Sequence, residues 1–135
     1  MKEIGILFSG SRRNADLANS HIREHGIVYW CLAKNMKYAN LRFPITALIH
    51  VKKEGVRYKC FISDVMPFSP LHFSDLKKKP KIWVQDQHTT RKKYRATLAI
   101  SKISTFYYNT KKLKNCEGIA IGNAPQGGYI KIIIP

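Results

Sequence analysis

The sequence predicts an α+β domain: a curved, mostly antiparallel sheet or partly open β-barrel of about six strands, with one or more flanking helices. Three observations predict it. Several stretches alternate apolar and polar residues at the strand period, bounded by Gly, Pro and Asn. Only one stretch carries helical spacing with both a start and a stop signal. The 135 residues are 44% hydrophobic, enough for one core and too apolar for a disordered chain. Residues 1–135 therefore read as a single domain, either complete or one module of a longer protein.

The elements follow in order. Residues 3–8, EIGILF, form an apolar run stopped by SGS and read as a buried strand. NADLANSHIREHG, 14–26, reads as a helix, with Asn14 as N-cap, Asp16 in the first turn and Gly26 as the stop. Leu17, Ala18, His21 and Ile22 give it one buried face. IVYWCLA, 27–33, is a second strand rich in β-formers. PITALIHVKKEGVRYKCFISDV, 44–65, is the clearest hairpin, with Gly55 in its turn. Ile45, Ala47, Ile49 and Val51 should face the core. Leu48, between Thr46 and His50, indicates that the other face is covered too. Residues 66–83 hold three prolines and a basic run, and read as a functional loop or a loop with a helical turn. Strand alternation resumes over 94–106. Residues 107–114 read as short helical or extended structure, and 129–134 as a final apolar strand.

Charge narrows the function. Twenty-four Lys and Arg stand against eight Asp and Glu, a net charge of +16. Self-repulsion at that imbalance costs stability, so a polyanionic partner is the economical explanation. Membrane is disfavoured as that partner, since no apolar run reaches the roughly 18–20 residues of a span and no basic amphipathic helix stands out. The start resembles no signal peptide. Cys31, Cys60 and Cys116 are odd in number and far apart, which suits buried thiols in a reducing, cytoplasmic setting.

Catalytic signatures are weak. GNAPQGG lacks the lysine and hydroxyl residue of a phosphate loop. His21 and His25 with Glu24 match a short zinc pattern, but spacing places no third ligand. The carboxylates are isolated, unlike those of a two-metal nuclease. Ser9 and Ser11 have no base placed by spacing. The expectation is a binding protein without cofactor or metal.

The two tryptophans carry the sharpest signal. Trp30 runs into KNMKY, and Trp83 lies between KKKPK and RKK. Aromatics among cations are the composition of a surface that stacks bases and neutralises phosphates. The strand EIGILFSGS, the helix NADLANSHIREHG and the tryptophan-bearing strand IVYWCLA together resemble the opening of the YTH and EVE domains of the PUA-like superfamily. The hairpin and IWVQDQHTTRKKYRATLAI extend that resemblance over residues 3–106. It implies an aromatic cage around a methylated base, with Trp30 and Trp83 as walls and Tyr29, Tyr38 or Phe68 as a third. It also implies polar contacts to the base edge from Ser9, Ser11, Asn14 and Cys31. Phosphate contacts would come from Arg12, Arg13, Lys34, Lys37, Lys77, Lys78, Lys79, Lys81, Arg91, Lys92 and Lys93.

The resemblance further implies base flipping of N6-methyladenine in DNA, as the recognition domain of an McrB-type modification-dependent restriction system. A GTPase motor and a nuclease subunit would then be partners. The alternatives are a PUA-like module for tRNA or rRNA, and an ASCH-like RNA-processing enzyme with Lys34 as its reactive lysine. On the reader hypothesis, Trp83 should come from a loop. A Trp30 that walls a pocket packs on one side only, so its truncation should cost little stability.

Overall fold

The computed structural model describes residues 2–34, 41–87, 91–122, 124–125 and 127–135, with the side chain of Arg91 left aside. Among these residues the chain runs β1 (Ile4–Ser9), α1 (Arg12–His25), β2 (Val28–Leu32), β3 (Ile45–Val51), β4 (Gly55–Pro67), α2 (Pro70–Phe73), α3 (Lys81–Asp86), β5 (Ala96–Tyr108) and β6 (Tyr129–Ile133). Short 3-10 turns lie at Arg91–Lys93 and Thr110–Lys112. The strands form one open mixed sheet in the order β2-β5-β4-β3-β1-β6. Every neighbouring pair is antiparallel except β1 with β3. The α+β expectation holds, in its open-sheet form rather than the barrel.

Both faces of the sheet centre are covered, which explains the unbroken apolar runs. In β1, Ile6 and Phe8 face the main core under α1 while Leu7 faces a second cluster with Leu48, Val56, Leu113, Ile132 and Ile134. All seven residues of β3 are buried, Leu48 on the second face as its apolar character predicted. The hairpin turn places Lys53 and Gly55 at positive φ, 68° and 89°, and only at Gly55 does the residue type suit that conformation without cost.

Helix α1 starts earlier than the sequence reading had it. Ser11, not Asn14, is the N-cap: its backbone is extended and its Oγ accepts the Asn14 N–H at 3.0 Å. Asn14 is thereby three residues in, and its side chain is released for another role. Gly26 ends the helix as expected, at φ 83°, donating its N–H to the Ile22 carbonyl. His21 lies on the buried face, its Nε2–H donating to the Lys77 carbonyl at 2.9 Å, and burial pushes its pKa down. That bond ties the segment before α3 onto α1. The span 66–83, read as a loop or a loop with a helical turn, contains α2 as such a turn and also the start of α3. Both helices are too short to show an apolar period, and Pro70 opens α2 in the first-turn position that proline tolerates.

Candidate nucleic-acid interface

Trp30 and Trp83 meet. Strand alternation turns Val28, Trp30 and Leu32 of β2 toward the helices, and α3 lays Trp83 across the same place. The two indoles stand edge to face, centroids 5.3 Å apart at 80°, and Trp30 stands edge to face on Phe8 as well, at 5.4 Å. Trp83 Nε1–H donates to Asn14 Oδ1 at 3.0 Å. The earlier start of α1 makes this bond intelligible, because Asn14 as N-cap would have spent its side chain on the helix end. The rings border a cavity of about 140 Å³. Ser9, Gly10, Asn14, Cys31, Gln87 and Tyr94 complete its lining among the described residues.

Several expectations need correction. The tryptophans are not walls packed on one side: Trp30 is 7% exposed and Trp83 4%, and both belong to the main core. Trp83 sits on α3, not in a loop. Tyr29 is no cage wall. Being odd where Trp30 is even, it points to the other face of β2, packs on His72 at 5.4 Å and lies under the Lys78 ammonium. Phe68 packs on Phe73 and Tyr94, and is absent from the lining. Tyr38 lies outside the described residues. The third aromatic of the cavity is Tyr94, in RKKYR, the same aromatic-among-cations pattern that singled out Trp83. Ser11 caps α1 and lines a neighbouring cleft instead.

Lys79 is the clearest misassignment. Its neighbours Lys77 and Lys81 are exposed, but Lys79 is 0% exposed and cannot meet phosphate from that position. Its ammonium donates to Gln87 Oε1 at 3.2 Å, lies 3.6 Å from Cys31 Sγ and sits 3.9 Å over the Phe73 ring. Burial holds its pKa below the usual lysine value, with Cys31 pulling the other way. Both Gln87 and Cys31 line the tryptophan cavity, so Lys79 braces its wall from behind. The triplet KKK gave no sign that one member turns inward.

The remaining cations are placed for solvent. Lys34, Lys77, Lys81, Lys92 and Lys93 are exposed and Lys78 is half-buried. Arg13 stands 3.6 Å from Asp86 of α3, and Arg12 donates from Nε to Glu54 at 2.7 Å. Lys37 and the Arg91 side chain lie outside the description. Lys92 and Lys93 sit in the turn just before Tyr94, and Lys81 opens the helix that carries Trp83. Other exposed cations, among them Lys52, Lys102, Lys111 and Lys114, lie on different segments, so the positive charge is spread widely over the described surface.

No helix among the described residues is long and apolar enough to cross a membrane. No family model, curated protein or solved structure matches the chain.

Proposed function

We propose that this chain is a non-enzymatic nucleic-acid reader: it takes a flipped, modified base, N6-methyladenine in DNA, into the cavity between Trp30, Trp83 and Tyr94. The assignment to a modification-dependent restriction system follows from the YTH and EVE resemblance. The observation that carries the reading is the convergence of the only two tryptophans, distant in sequence, on one small cavity.

The contact between the two indoles sets the mechanism. A base enters when the edge-to-face indole pair parts. Helix α3 has six residues and no side-chain cap, too few to be stable alone, so it is the element that yields. Asn14, already bonded to Trp83, exchanges that donor for one on the base. Flipping costs a few kcal/mol, and stacking returns about 1–3 kcal/mol per base. A buried methyl adds about 0.8 kcal/mol, roughly fourfold in affinity. Phosphate contacts must therefore supply most of the affinity, as the net charge of +16 suits.

Equilibrium binding to matched DNA and RNA oligonucleotides, each with and without the methyl group, tests this. The reading expects the methylated DNA strand to bind best and Trp30→Phe, which keeps an aromatic in the core, to erase the preference. Equal affinity of the unaltered chain for all four would remove it.

A further inference from the structure

We propose that the cleft at the N-terminus of α1 binds the phosphate of the same nucleotide whose base enters the tryptophan cavity. This rests on the base-reader reading above.

The cleft measures about 640 Å³ and adjoins the cavity, because Ser9 and Gly10 line both. Its floor is the start of a 14-residue helix. The N–H groups of Arg12 and Arg13 open that helix without an intrahelical acceptor, and the helix end favours an anion there. The Ser11 Oγ accepts the Asn14 N–H, which leaves its own O–H to donate.

The second observation is His50. It pairs with Ser9 across the parallel β1–β3 ladder, lines the cleft and is 6% exposed. Among the described residues no side chain or carbonyl hydrogen-bonds its ring, and the ring nitrogens are not enclosed by protein, so they remain open to the cleft the residue lines. Burial lowers its pKa, so at neutral pH it offers one ring N–H, and a phosphate oxygen is the acceptor such a donor lacks. Arg12 and Lys52 add positive charge at the rim. Glu54 is the one carboxylate among the described lining residues. It holds Arg12 and lies 3.7 Å from Arg57, so an arriving phosphate competes with it for Arg12.

Gly10 makes the two sites one. Its backbone borders both, and with no side chain it lets the Trp30 ring pack close, since a Cβ there would stand 2.9 Å from that ring. The chemistry fits a nucleotide: a flat base in the aromatic cavity, a sugar across Gly10, and a phosphate on the helix end.

The test is an NMR titration of the isotope-labelled full chain with three probes: inorganic phosphate, N6-methyl-2′-deoxyadenosine, and the 5′-monophosphate of that nucleoside. Phosphate should shift the Arg12 and Arg13 amides and the His50 ring saturably. The nucleoside should shift the two indole N–H signals. The monophosphate should do both and bind about tenfold tighter than the nucleoside, the gain from one charge-assisted contact. His50→Ala and the exposed Lys52→Ala should each cut that gain to under about threefold, and Glu54→Gln should tighten phosphate binding. Lys52→Ala keeps the test open if the His50 variant does not fold. A monophosphate that binds no tighter than the nucleoside, while the nucleoside still moves the indoles, overturns the phosphate site and spares the base reading. Phosphate shifts at α1 with silent indoles uphold an anion site and overturn the base reading.

Discussion

Adding one methyl group at residue 10 probes the site where it is thinnest. A Cβ built on Gly10 lies 2.9 Å from Cη2 and Cζ2 of Trp30 and 3.0 Å from Cγ2 of Ile49. Carbon atoms in ordinary contact stand about 3.5–4.0 Å apart, so Gly10→Ala forces the indole back by roughly 0.6 Å or more. Neither neighbour is a flexible tip, since the indole is one rigid body and Ile49 is fully buried. Overpacking of this kind costs about 1–3 kcal/mol, against a stability of about 5–15 kcal/mol for a typical domain. The variant should stay folded while its cavity narrows and Trp30 tilts. If a base stacks there, losing that contact removes about 1–3 kcal/mol of binding, roughly a 5- to 150-fold loss for the methylated strand. Urea denaturation and fluorescence-anisotropy binding, run on the same preparation, measure both quantities. A folded variant with unchanged affinity for the methylated strand would refute the site. Unchanged stability would refute the packing of Trp30 over Gly10.

Other substitutions test other parts of the account. Ile49→Ala, at a fully buried position on the core face of β3, should cost about 2–4 kcal/mol, read from the urea midpoint. A negligible shift would mean the hairpin register is wrong. Lys79→Met should flatten the stability profile at alkaline pH. The folded chain holds the Lys79 pKa below its ordinary 10.5, so between those two values the unfolded chain binds more protons and stability rises with pH. Below both, the ammonium is a constant penalty. If the variant and the unaltered chain rise in parallel, Lys79 is not desolvated. Changing the exposed Lys77, Lys81 and Lys92 together to Glu should weaken methylated and plain strands alike. The dependence on log salt should fall by roughly 0.9 for each lost phosphate contact. A loss confined to the methylated strand would place these lysines in base reading instead.

The fold was legible where the pattern is long and two-sided. The alternation across 44–65 located the hairpin and its two faces, and Leu48 correctly announced a covered second face. The cap of α1 was misread because Ser11 and Asn14 are both good capping residues, and the choice depends on where the chain leaves β1. The helical turn allowed for within 66–83 is α2, but neither its place nor α3 could be located, because four and six residues carry no period. At the site, composition found the tryptophans but not their burial. An aromatic beside lysines reads as exposed, yet Trp30 packs on Phe8 and Trp83 through contacts that only the tertiary fold creates. Lys79 fails for the same reason, since its inward turn is fixed by Phe73, Gln87 and Cys31, all elsewhere in the sequence. Tyr94 carried the right pattern and was passed over because it was assigned to the strand rather than to the turn before it.

Because both tryptophans of the chain border the cavity, selectively excited tryptophan emission reports on that site. The most direct measurement is a titration of the full chain with two DNA duplexes identical except for one N6-methyl group, following tryptophan emission and anisotropy together. The account predicts a saturable change in emission, with the methylated duplex bound roughly fourfold or more tightly. Binding that registers in anisotropy but leaves emission untouched, with equal affinity for the two duplexes, would contradict it.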